Sequence, residues 1–128
     1  MLNRTGITKV TGAAPVQILF NVQNQMSVGI KLAKNFAGAV VENGRKIVKA
    51  GTPLKGDLTN RSAAFTAAGD TAVGVLLHDV DVTDQDANAT LLIWGFVNLN
   101  RVDAATKALL TSAVQTSLAG KVYFLSDN

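Results

Sequence analysis

At 128 residues, with 48% hydrophobic and only 16% charged side chains, the chain is long enough for one domain but carries less charge than the roughly 25% of an average soluble domain, so apolar surface is left for association between subunits. The absence of cysteine excludes disulfides, thiolate metal sites and a cysteine nucleophile. The net charge of +3 is unevenly spread: residues 1–56 hold eight Lys or Arg against Glu42 (8 − 1 = +7), and residues 57–128 hold four against eight acids (4 − 8 = −4).

Taken from the start, residues 1–10 lack the apolar run of a signal peptide, and no window nears the roughly 18 apolar residues of a spanning helix. A product made and kept in the cytoplasm is expected. Residues 1–35 form an N-terminal arm and first strand, ahead of a compact β-rich domain over 36–128. Within the arm, Val16, Ile18, Phe20 and Val22 alternate, the period of a half-buried strand. Residues 16–23 are therefore either a strand of the domain's own sheet or part of an arm that pairs with another protein.

Residues 36–41 read as a strand, Asn43-Gly44 as a tight hairpin turn, and 46–49 as the return strand. Pro53 confines 50–57 to a sheet edge or a loop, because it has no N–H for a ladder. Residues 58–68, rich in Thr, Ala and polar side chains, show no period and are expected to be irregular. Two nearly continuous apolar runs follow, 73–80 and 90–97, as expected of paired strands covered on both faces. Leu77, Leu92, Trp94 and Phe96 in these runs are the candidate core or subunit-interface residues. Gly74 and Gly95 interrupt the runs and mark a bulge or a close backbone approach. The polar, acidic residues 83–89 between them form a loop at the molecular edge. Asp103 then caps one helix over about 104–118, with Leu110, Val114 and Leu118 on its buried face beside Ala113 and Leu109, and Gly120 beyond its end. Residues 121–125 close the chain as a short strand.

Chemistry is sparse. His78 stands alone, and its neighbour Asp79 would point to the opposite face of a strand. The glycines at 51 and 56 have the spacing of a phosphate-binding loop, but Asp57 and Leu58 stand where Lys and Ser or Thr are required. Asp79, Asp81, Asp84, Asp86 and Asn88 suggest a calcium loop, yet Ala89 replaces its turn glycine and Gly95 its last glutamate. No catalytic, cofactor-binding or metal-binding residue is assigned, and no enzyme activity is expected.

The order Gly-Asp-Thr-Ala-Val-Gly-Val-Leu at 69–76, then an Ala-Thr-Leu-Leu run into an aromatic strand containing Gly95, a short helix, and Gly-Lys-Val-Tyr-Phe-Leu at 120–125 resembles the small head decoration proteins of tailed phages. The lambda-type decoration proteins and the related head-fibre proteins are the families concerned, and the similarity spans about 36–125. The resemblance implies a mainly β fold, α+β in detail. It would be a small barrel-like or β-tulip domain with one C-terminal helix and an extended N-terminal arm. It also implies a non-catalytic homotrimer that binds the major capsid protein on the outside of the mature head, at threefold and quasi-threefold positions, and stabilises it against packaged DNA. No cofactor, small-molecule substrate or membrane is implied. Arg4, Ile7, Thr8, Lys9 and Val10 are the arm residues expected to pair with an exposed strand edge of the shell. The N-terminal segment is longer than in the lambda-type pattern, and residues 50–57 are nearer to the head-fibre one. The alternative is a small β-barrel that binds nucleic acid through the basic half, although that half offers few aromatics for base stacking.

Overall fold

The structure is a computed structural model and describes residues 17–19, 23, 25–34 and 36–126. It is mainly β, as expected. The strands are β1 (Met26–Leu32), β2 (Val40–Glu42), β3 (Arg45–Val48), β4 (Pro53–Lys55), β5 (Ala64–Ala67), β6 (Gly74–Leu76), β7 (Val80–Asp81), β8 (Ala87–Asn98) and β9 (Val122–Leu125). A 3-10 turn (Leu99–Arg101) and the short helices α1 (Ala104–Lys107) and α2 (Ser112–Ser117) connect β8 to β9.

The longest strand, β8, organises the sheet. It pairs antiparallel with β1 from Leu32↔Ala87 to Met26↔Trp94, antiparallel with β6 at Val75↔Leu92 and Leu76↔Leu91, and parallel with β9 from Val122↔Gly95 to Leu125↔Asn98. From β1 the pairing passes to β5 in parallel, then antiparallel to β4 and to β6, which returns to β8. Five strands thus close a ring of hydrogen-bonded neighbours. Parallel partners need a crossover, and the helical segment between β8 and β9 supplies it. A separate sheet of β2, β3 and β7 stands beside the ring.

Two cores result. Ile30, Leu32, Phe36, Val48, Leu54, Phe65, Leu76, Val82, Ala89 and Leu91 form one. Val75, Leu77, Leu92, Val97 and Val122 meet Leu110, Val114 and Leu118 of the helical layer, with Ile18 and Leu19, in the other. Adjacent residues of one strand enter different cores, Val75 and Leu76 on β6 and Leu91 and Leu92 on β8. This double cover explains the unbroken apolar runs.

The Asn43-Gly44 hairpin forms as the sequence dictates, with both residues at positive φ, 52° and 77°. Gly74 marks the expected close approach: a Cβ there would lie 2.4 Å from the Leu92 carbonyl oxygen. Several expectations need correction. Pro53 is buried and begins β4, which lies between β5 and β6 rather than at an edge; as first residue it owes no N–H, and its carbonyl accepts from Ala68 N–H. Residues 64–67, expected to be irregular, form β5 around the fully buried Phe65. The run 73–80 splits, and β7 leaves the ring to join β3.

The single helix is two. Thr111 adopts an extended backbone and its Oγ1 accepts from Val114 N–H at 3.3 Å, starting α2 afresh, whereas Asp103 precedes α1 without a side-chain capping bond. Leu110, Val114 and Leu118 are nevertheless buried as expected, whereas Leu109 and Ala113 are exposed because the break before Thr111 turns them outward, and Gly120 follows at φ 80°.

The compact unit also begins earlier than residue 36, since β1 is one of its central strands. Ile18 and Leu19 are both buried, Leu19 bridges to Val97, and the Ile18 carbonyl accepts from Asn98 N–H. These two residues belong to the domain, although two adjacent buried residues depart from simple alternation. The expected arm residues Arg4, Ile7, Thr8, Lys9 and Val10 lie outside the described residues, as do Val16, Phe20 and Val22.

Candidate interface

Strict alternation along β8 would put Leu92, Trp94 and Phe96 on one face. The structure breaks that rule once. Ser27 faces Leu92, but the next residue back, Met26, faces Trp94, so β8 holds one extra residue at Ile93. Such an insertion turns every following side chain to the other face. Leu92 and Val97, five residues apart, therefore share one core, while Trp94 and Phe96 are turned away from it. Of the four candidates, Leu77 and Leu92 are core residues, Phe96 is partly buried, and Trp94 is 40% exposed. The core placement of Trp94 fails for this reason.

Register then gathers an apolar ridge. Met26 lies across from Trp94, and Tyr123 of β9 across from Phe96. The Trp94 and Phe96 rings meet edge to face at 5.7 Å, and Phe96 stacks on Tyr123 at 5.3 Å. Met26 is 58% exposed, Tyr123 43% and Leu125 42%. None of these five side chains is charged. Aromatic anchors in an uncharged patch are the composition of an interface centre. A second surface, mostly apolar and sharing no residue with the ridge, lies between the hairpin and α1. There Gly38, Val40, Thr52, Ala105, Thr106 and Leu109, with the stem of Lys49, line a cavity of about 220 Å³, and Val40, Val41 and Leu109 are exposed.

The acidic run has become a set of staples. Asp79 accepts from Ala50 N–H at 2.7 Å and pairs with Lys49 Nζ at 3.3 Å, while Lys49 also donates to Glu42 at 3.0 Å. Arg45 donates to Asp81 and to Asp84, each at 2.8 Å, and Asp86 accepts from Lys34 N–H at 2.9 Å. The Arg45 hydrogen bond, with help from Thr83 N–H, pulls the Asp81 carboxyl down to about 2, and the hydrogen bonds to Asp81 and Asp84 raise Arg45. Burial pushes Lys49 down, but the hydrogen bonds to Glu42 and Asp79 outweigh it and leave the ammonium raised. The basic half of the sequence is thus partly neutralised in space by the acidic half. Among the described residues no three His, Cys, Asp or Glu side chains gather as metal ligands would.

His78 is exposed in a bend between β6 and β7, not on a strand. The glycine-spaced segment 51–56 is occupied by strand β4 and is not a phosphate loop. The ridge is what sequence reasoning missed in part: Met26, Tyr123 and Leu125 become neighbours of Trp94 only through register, and the one available signal was the clustering of the aromatics near 94–96 and 123–124. No family model and no curated protein matches the chain.

Proposed function

We propose that the chain is a non-catalytic structural protein that self-associates and coats a larger protein shell, as the resemblance to tailed-phage head decoration proteins implies. The observation that carries this reading is the uncharged ridge of exposed Met26, Trp94, Tyr123 and Leu125 around the partly buried Phe96. A closed trimer uses two different surfaces on each subunit. The ridge and the groove beside Leu109, apolar apart from Lys49, are two such surfaces, and a ridge seated in the next subunit's groove would cover both. The shell partner is the major capsid protein, and the N-terminal residues Arg4 and 7–10 are the proposed attachment arm. The virion surface is the corresponding location. Nucleic acid is disfavoured because Arg45 and Lys49 are already held by carboxylates.

Sedimentation equilibrium tests the first half: a mass three times 13.4 kDa is expected, falling to the monomer in Trp94→Ser. Co-sedimentation with mature heads of the phage that encodes the chain tests the second. A monomer that leaves such heads bare overturns the proposal.

A further inference from the structure

Among the described residues β1 has a bare backbone edge beside two cations, and we infer that it is a docking site for an extended, carboxylate-bearing segment of another protein, taken up as an added strand. On β8, the Thr90 carbonyl accepts from Leu77 N–H at 2.9 Å, on the side away from β1. Thr90 faces Gly29 across the ladder. In an antiparallel ladder a residue's N–H and C=O point to the same side, and directly opposed residues either exchange both bonds or both turn away. Gly29 therefore presents its amide and carbonyl outward, and Ser27, two residues back, does the same. β5 meets this side of β1 only at Lys31 and Leu32. From Met26 to Ile30 no described strand occupies it.

The Gly29 carbonyl has a single described partner, the Arg61 guanidinium at 3.3 Å. Nothing lies within 4 Å of where a Gly29 Cβ would stand. Gly29, Ile30, Lys31, Arg61, Ser62, Asn88 and Ala89 line an open cavity of about 400 Å³ that adjoins this edge at Gly29 and Arg61 and extends over the sheet toward β8. Alternating outward donors and acceptors match a peptide backbone, which is the basis of strand addition; they have no counterpart in a nucleic-acid backbone. Lys31 and Arg61 set the charge of the guest. The chain's own N-terminal segment carries Arg4 and Lys9 and no acid before Glu42, so its charge is wrong for this groove. A carboxylate-bearing strand from another protein fits. At its far end the guest would meet Met26 and would end on an apolar side chain. This site shares only that end with the ridge, and it stands whether or not the shell reading holds.

The probes are acetylated, amidated six-residue peptides of alternating Val and Glu, with a Val and Lys version as control. They are titrated into the full-length ¹⁵N-labelled protein, with amide hydrogen exchange read in parallel. The Val/Glu peptide is expected to shift and protect the Ser27 and Gly29 amides, and to bind at least tenfold more tightly than the Val/Lys control. Lys31→Glu with Arg61→Glu should reverse that preference, with the fold checked by its unchanged amide spectrum away from β1. If the double variant fails to fold, the Val/Glu against Val/Lys comparison on the unaltered protein decides alone. Equal binding of both peptides, no binding of either at millimolar concentration, or shifts away from β1 overturn the inference. So does protection of Ser27 and Gly29 in the free protein that is lost on deleting residues 2–14, which would make the chain its own guest. Binding of an oligothymidylate that displaces the Val/Glu peptide would assign the cations to nucleic acid instead.

Discussion

Trp94→Ala should cost only about 1 kcal/mol, near the roughly 0.5–1.5 kcal/mol of an aromatic pair, because the ring is 40% exposed and its partner Phe96 stays stacked on Tyr123. Phe65→Ala should cost about 3–5 kcal/mol, the range for a large aromatic deleted from a core that cannot collapse, since Phe65 is fully buried. Urea unfolding of the two variants, read with subunit mass, separates the two roles: Trp94→Ala loses association and keeps stability, and Phe65→Ala does the reverse. Gly74→Ala belongs with Phe65. Its new methyl would meet the Leu92 backbone oxygen at 2.4 Å, and backbone cannot rotate away as a side chain can, so the β6–β8 seam opens at about 1–3 kcal/mol. Gly74 was legible as a close approach because a glycine inside an apolar strand has few other uses. Trp94 was not, because no composition rule reports one extra residue at Ile93 that reverses the faces after it.

The hairpin of β2 and β3 is tied to β7 and its following loop by Arg45, Asp81 and Asp84, and this gives the element an acid response. Asp81 sits at about 2 in the fold against 3.8 ordinarily. A depressed carboxyl stabilises the folded form fully above its unfolded value, loses that contribution as pH falls between the two, and contributes nothing below the folded value. The tie should therefore weaken between about pH 4 and pH 2, and less sharply in high salt, since Asp81 and Arg45 are both partly exposed. A carbon-detected titration of the Asp81 carboxyl should return toward the ordinary value in Arg45→Met. The hairpin could be read from Asn43-Gly44 because its turn is a local event. β1 carried a local signal too: Val28, Ile30 and Leu32 alternate with Ser27, Gly29 and Lys31, but Gly29 lowers strand propensity and gives the segment the look of a linker. β4 and β5 were obscured by Pro53 and by a polar run with one phenylalanine, whose strand character depends on partners elsewhere in the chain. For α2 the local cue was Thr111, a capping residue inside a stretch whose apolar spacing suits one longer helix.

For the whole molecule, the sequence's division into a basic and an acidic half is softened by folding, because Arg45 and Lys49 reach across to Asp81, Asp84 and Asp79, and the ridge itself carries no charge. Self-association through an uncharged ridge should consequently resist salt. Sedimentation at roughly 0.05 and 1 M salt should give the same subunit number, since screening weakens charge pairing and leaves apolar burial in place. Dissociation at the higher concentration would move the interface away from the ridge. Deleting residues 2–14 should leave thermal stability and subunit number nearly unchanged while reducing attachment to heads; an unfolded truncation would make that segment part of the core. The mainly β class was legible because apolar runs, turn dipeptides and glycines act locally. Ring closure and the ridge were not, because both depend on which residue of one strand stands opposite which residue of another.

β8 leaves the ribosome after seven of the described strands, yet β1, β6, β9 and Leu19 all take it as a neighbour. The β1 sequence, made early, has to wait through some fifty further residues for its longest partner. Until then the Ile30, Leu32 and Phe65 side chains have no closed interior to enter. Nascent chains stalled short of residue 87 should be cut readily by protease, whereas those in which residue 98 has emerged should become resistant. The early strands thus depend on a late one, so the most hazardous interval for the growing chain is the one before β8 is made.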